Sequence, residues 1–406
     1  MDSLITAAAR ALAAGDPFGA LNRIALREDA PALALRGIAM AQLGDLDRAK
    51  LLLKRAARVF GGKEAVARAR CIVAEAEIAL VSRDLAWPAK ALEAARVTLE
   101  RHGDHLNAAH ARALEIRRLL LIGRLDNADR ILGGLDPADF PAALRTVLEL
   151  AIAGIAMRRA RAKDARAALA RAMDAAHEAR IPALSAEVES AVAMLSAPAA
   201  RSIACGTERA LRLDDVEALF DSNALIVDAC RFVVREGRKV IPLATRPVLF
   251  ALARALAEAY PDDVSRDDLV RYAFGGKEAD ESHRARLRVE MGRLRALLKP
   301  VANVAATTSG FVLVPHGGHD IVVLARPLEE RHGEVLALLA DGESWSSSAL
   351  ALALDTSQRT VQRALDALAA DGKIRWFGRG RARRWMTPPL PGFAPVLLLP
   401  GPLPGD

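Results

Sequence analysis

The chain has 406 residues, which at roughly 100–200 residues per domain predicts two to four domains. Hydrophobic residues make up 52% and charged residues 26%, a balance that excludes a disordered chain; aromatics at 4% leave the cores to Ala, Leu and Val. The net charge of +7, from 57 Lys+Arg against 50 Asp+Glu, permits a nucleic-acid partner without establishing one. Cys71, Cys205 and Cys230 lie far apart, which excludes a disulfide framework or zinc knuckle and reads as buried thiols. The N-terminus has no basic segment followed by an apolar one, and the apolar run 151–157 is too short for a bilayer. A cytoplasmic location is expected.

Residues 1–196 read as helix throughout, rich in Ala and Leu with apolar positions three and four apart. The helices break at Gly15-Asp16, Gly44-Asp45, Arg83-Asp84, Gly123-Arg124 and Lys163-Asp164, at spacings of 29, 39, 40 and 40 residues. Such a period predicts helix pairs stacked into a solenoid. In residues 34–60, ALRGIAMAQLGDLDRAKLLLKRAARVF, the small residues Gly37, Ala39, Gly44, Ala49 and Ala56 fall where two helices must approach closely. This run resembles the tetratricopeptide repeat. The later units are longer and lack that family's aromatic positions, so residues 1–197 read as tetratricopeptide-like. The resemblance implies recognition of a protein or peptide on a concave face, or dimerisation. His102, His105 and His110 cluster in sequence, but no Cys or carboxylate set completes a metal site.

Periodicity stops near Pro198, and residues 198–210 read as a linker. Residues 225–234 and 239–243 are β-rich runs separated by a turn at Glu236-Gly237-Arg238. Helices are predicted over 246–260, 266–274 and 281–298, then two strands within 301–314. On the last helix Val289, Leu294, Leu297 and Leu298 are assigned to the core, and 282–299 carries six Lys or Arg against one acid, Glu290. Strands, three helices and a hairpin in this order, with the segments LATRPVLFALARALAE, VSRDDLVRYAF, RLRVEMGRLRALLK and TTSGFVL, resemble the winged-helix DNA-binding domain of OmpR/PhoB-type regulators. The resemblance covers 211–325. It implies that Ser282, His283, Arg284, Arg286, Glu290 and Arg293, in the first turns of the third helix, face the groove. No receiver domain precedes it, so phosphorelay control is not implied.

A second unit follows over 326–388. An amphipathic helix is predicted over 328–339, a capped one over 345–355, and a third over 356–374 with Val361, Leu365 and Leu368 inward. The segment 375–385 offers two β-capable ends around Gly378-Arg379-Gly380. The pattern S-x-R-T-V-x-R-A-L-x-x-L-x-x-x-G-x-I resembles the winged helix-turn-helix of MarR-, GntR- and DeoR-type regulators. It implies Ser357, Gln358, Arg359, Thr360, Gln362 and Arg363 as groove-facing positions, with Arg379, Arg381, Arg383 and Arg384 on the wing. Residues 373–384 hold six Lys or Arg and no acid, a patch with phosphate as its obvious partner. Residues 389–406 form a Pro-rich tail.

No phosphate-binding loop, zinc-protease motif or nucleophile–base set is present. No enzyme activity, cofactor or metal is therefore expected. The fold expected is mainly α: an N-terminal α-solenoid followed by two α+β winged-helix domains. The function expected is a sequence-specific transcriptional regulator of double-stranded DNA, its repeats sensing a partner or making a homodimer. The rivals are a protein-interaction adaptor and an RNA-binding regulator.

Overall fold

The computed structural model describes residues 3–85, 87–274, 281–327, 332–339, 344–380 and 383–386. The architecture is mainly α, with 18 α-helices and three sheets among the described residues. The chain divides into two compact units: Met1–Ile155 with Ala165–Val192 and Arg331–Asp406, and Ala156–Asp164 with Ala193–Glu330.

The N-terminal part holds eleven helices in succession: α1 (Ser3–Ala13), α2 (Pro17–Ile24), α3 (Ala30–Gln42), α4 (Leu46–Phe60), α5 (Ala65–Val81), α6 (Ala89–Arg101), α7 (His105–Leu121), α8 (Leu125–Leu132), α9 (Ala142–Arg158), α10 (Ala162–Ala179) and α11 (Pro182–Ser196). The turns inside the pairs share one construction. A residue at positive φ (Gly15, Gly44, Arg83, Gly123, Ala160) lets the next N–H reach back five residues. Asp16 thus bonds Ala11 O, Asp45 Met40 O, Asp84 Ala79 O, Arg124 Leu119 O and Arg161 Ala156 O, at 2.7–2.9 Å. This is the Schellman closure, which satisfies carbonyls the helix end leaves open. The last turn sits at Ala160, not at Lys163-Asp164 as expected, because an alanine rather than a glycine takes the left-handed seat.

The small residues of α3 and α4 do pack closely: Ala39, Ala49 and Ala56 are fully buried, and a Cβ on Gly37 would lie 2.8 Å from Leu53 Cγ. Gly44 belongs to the turn. Neighbouring pairs are tied by two ion pairs, each spanning 34 residues: Lys50–Asp84 at 2.5 Å and Arg70–Asp104 at 2.7 Å.

The second unit holds a six-stranded sheet in the order β2-β1-β9-β3-β4-β5. Its strands are β1 (Ala200–Ala204), β2 (Thr207–Leu211), β3 (Leu225–Asp228), β4 (Val233–Glu236), β5 (Lys239–Pro242) and β9 (Ile321–Ala325), with α12 (Leu213–Asp221) between β2 and β3. The stretch read as a linker is therefore a hairpin. Its two-residue loop, Cys205-Gly206, has both residues at positive φ, the twist that suits tight hairpins. The run 225–234 is two strands rather than one, broken where the buried Asp228 carboxylate accepts the N–H groups of Cys230 and Arg231 at 2.9 and 3.0 Å. β9 pairs parallel with β3 and antiparallel with β1, closing the sheet from the far end of the unit.

On this sheet packs α13 (Pro247–Ala259), through Leu249, Leu252 and Leu256; each buried leucine contributes about 2 kcal/mol. Then come β6 (Val264–Ser265), α14 (Arg266–Phe274), α15 (Glu281–Leu298), β7 (Ala302–Ala306) and β8 (Gly310–Pro315), with β6-β8-β7 forming a three-stranded sheet. At Gly310 a Cβ would fall 1.7 Å from the carbonyl oxygen of Val264. Gly310→Ala should cost about 2–3 kcal/mol of this unit's stability, read in a denaturant titration; an unchanged midpoint would contradict that close approach.

The C-terminal elements are α16 (Gly333–Leu339), α17 (Ser347–Ala353), α18 (Gln358–Ala370), β10 (Arg375–Phe377) and β11 (Arg384–Met386). Their core takes in residues of the N-terminal helices. Trp345 and Trp385, both fully buried, share one cluster with Val335, Leu339, Val361, Leu365 and Leu368 and with Leu85, Leu121 and Ile122 of the N-terminal helices. The tail over 389–406 lies outside the described residues.

The three thiols differ. Burial pushes Cys71 up to about 12 and, with the Asp228 charge, Cys230 up to about 11, whereas Cys205 stands exposed in its loop rather than buried. Near pH 8 the first two stay protonated and unreactive, so a thiol reagent should consume one equivalent rapidly and two more only after unfolding. Two rapid equivalents would contradict this.

Candidate nucleic-acid interface

Two basic helix–hairpin surfaces emerge from these elements, one in each unit. In the first, α15 is held by Leu287, Met291, Leu294 and Leu298, all buried against α13 and α14. These positions are spaced four, three and four apart, a single helix face. Val289, assigned to the core from sequence, is 54% exposed instead; the apolar face is set by Leu287 and Met291, which places Val289 on the opposite side.

Around that outward side the arginines are individually positioned. Arg284 bonds Asp267 at 3.2 Å. Arg286 lies 4.6 Å over the ring of Phe274, a cation–π contact that keeps its guanidinium on the surface. Arg293 bonds Glu290 at 2.9 Å, so Glu290, only half-open, serves as a partner for arginine rather than a free acceptor. Arg295 donates to Val304 O at 2.8 Å and ties the helix to β7. Ser282 is exposed and the His283 ring sits 5.8 Å from Phe274. Arg288 is exposed on the same surface.

The β7–β8 loop beside this helix is fastened by contacts that sequence gave no sign of. The Asp263 carboxylate accepts hydroxyl bonds from Thr307 and Ser309, which hold it below the usual carboxylate range. Arg266 donates to the carbonyls of Thr308 and Thr307 at 3.0 and 3.1 Å. The loop is thus a fixed projection.

In the second surface, α17 and α18 are joined by a tight turn in which Asp355 takes positive φ and the Thr356 N–H returns to Ala351 O at 3.0 Å. Ser346 caps α17 and Ser357 caps α18, its hydroxyl accepting the Thr360 N–H at 3.1 Å. Ser357 also meets the Thr360 hydroxyl at 2.8 Å, and Gln358 donates to Ser347 at 2.9 Å. These residues, taken from sequence as groove-facing, are first of all joints of the turn. Gln362 donates to Asp366 at 2.9 Å, while Arg359 and Arg363 are exposed.

The hairpin β10–β11 pairs Trp376 with Trp385, and Trp385 exchanges both backbone bonds with Trp345 at 2.8 Å. Arg383 stacks 4.5 Å over Trp376 and 5.5 Å from Trp385, so its guanidinium is partly structural. Arg384 is half-buried, and Arg375 and Arg379 are exposed. Arg381 lies outside the described residues. The histidines noted in sequence are not gathered: His102 and His105 are exposed, whereas His110 is buried 3.0 Å from Glu77.

Compared with protein-family models, curated proteins and solved structures, the chain matches none. Among the described residues no helix is long and apolar enough to cross a membrane.

Proposed function

We propose that this chain is a sequence-specific, non-enzymatic transcriptional regulator that binds double-stranded DNA through two winged-helix modules. The observation that carries the reading is the repeated pairing of an exposed basic helix with a hairpin. One module offers Arg284, Arg286, Arg288 and Arg293 on α15 beside the pinned β7–β8 loop. The other offers Arg359 and Arg363 on α18 beside Arg375 and Arg379. Such a helix fits the major groove, and arginine meets phosphate or guanine with a bidentate fork. The short hairpins supply backbone contacts that fix register.

The N-terminal helices give the regulator a place to receive a partner or a second copy. Phe18, Leu26 and Leu51, all more than 60% exposed, support that role. They also support the rival reading, an adaptor that uses protein contacts throughout.

Selection of the full-length chain on a random duplex pool should return a recurrent motif. A variant at Arg359 should shift preference within it or weaken it, and one at Arg288 should weaken binding to it. A pool that stays unenriched, with captured protein partners instead, would replace the reading by the adaptor.

A further inference from the structure

Within the proposed DNA-binding face of α15, the side chains divide by chemistry. The buried positions Leu287, Met291, Leu294 and Leu298 define one side of the helix. At 100° per residue, Val289 points almost directly away from them. Arg284, Arg288 and Arg295 fall in a row on one flank, and Arg286 and Arg293 on the other. Each of the two rows has members anchored by neighbours: Arg284 on Asp267, Arg295 on Val304 O, Arg286 on Phe274 and Arg293 on Glu290. Their guanidiniums are therefore held beside the helix, not over its outermost line.

Val289 is thus a half-exposed β-branched side chain set between two rows of cations. It meets its match where an apolar group lies between two lines of negative charge. The major groove of duplex DNA has that cross-section: phosphates along both walls, and on its floor one apolar base group, the thymine C5-methyl.

We infer that Val289 reads a thymine methyl, while the flanking arginines engage the phosphates of the two strands. This rests on the DNA-binding reading above and adds to it which residue of α15 specifies a base. It reverses the division the arginines suggest at first sight: on this helix they position, and the valine specifies.

The test uses the full-length chain and the duplex recovered by selection. Each thymine in turn is replaced by deoxyuridine, which removes the C5-methyl and nothing else. One substitution should weaken the wild type about fourfold, the worth of one methyl returned to water. Val289→Ala, an exposed change to a better helix former, should bind the thymine duplex about as weakly and lose the distinction between the two probes. If Val289→Ala discriminates the probes as the wild type does, or if no uridine substitution weakens the wild type, the thymine contact is wrong and the DNA reading stands. If the wild type shows no salt-dependent binding to any duplex, the DNA reading fails and the inference with it.

Discussion

Trp345→Ala is expected to be the most damaging single substitution in the chain, lowering the stability of its unit by about 3–5 kcal/mol. Three roles converge on this residue. Its indole is fully buried among Val335, Leu339, Leu350 and Leu365. Its backbone exchanges two bonds with Trp385, which anchors the β10–β11 hairpin. Its ring also receives the guanidinium of Arg83, 5.5 Å from its centroid, from the turn between α5 and α6. Because Leu85, Leu121 and Ile122 complete the same cluster, the loss should spread to the N-terminal helices. Calorimetry or denaturant unfolding should show the C-terminal elements and the α5–α8 region destabilised together. An unfolding midpoint within error of wild type would contradict the shared core.

Arg83→Gly separates two of these roles. It relieves a non-glycine residue held at φ +50, a strain of about 1 kcal/mol, but removes the stack on Trp345 and the bond to Leu80 O. In Trp345→Ala the stack is already gone, so Arg83→Gly should then stabilise relative to its effect in wild type. Additive effects would mean that the stack carries no coupling.

The second large effect concerns binding. Arg359, Arg363, Arg375 and Arg379 are all exposed, and no core residue lies among them. Replacing all four with alanine should leave the fold intact and flatten the salt dependence of duplex binding by about one unit of log–log slope per arginine. Circular dichroism checks the fold, and a binding titration at several salt concentrations reads the slope. An unchanged slope would remove this surface from the interface. Arg383→Ala is a poorer probe of charge, because its stack between Trp376 and Trp385 means the hairpin itself would loosen.

Much of the helical half was legible because its signals are local. Gly15, Gly44 and Gly123 mark their turns openly, and Ala or Leu at three- and four-residue spacing marks the helices between. The turn at Ala160 is not marked locally, since alanine gives no hint of a left-handed seat. The hairpin β1–β2 reads as linker for a similar reason: Cys205 occupies a loop position where Asn or Asp would announce it. What depends on distant partners was invisible. Nothing local in residues 321–325 tells that they run parallel to β3, nor does Trp345 reveal that Leu85 lies against its cluster.

The candidate surfaces were half legible. The density of arginine on two segments is written in the sequence, and the structure places most of those side chains outward. Which of them is free to reach a ligand depends on neighbours such as Asp267, Phe274 and Trp376 that composition cannot supply. The rotation of α15 follows from Leu287 and Met291 outweighing Val289 as core residues, a choice made by the pocket beneath and not by hydrophobicity alone.

The central claim, that this chain grips duplex DNA through these basic surfaces, is tested most directly by titrating the full-length protein against a labelled duplex from roughly 50 to 200 mM monovalent salt. Each phosphate contact contributes about 0.9 to the slope. The eight exposed arginines on the two surfaces therefore predict a linear log–log fall of affinity with a slope of magnitude about seven. Binding that is absent at low salt, or that holds constant across this range, would contradict it.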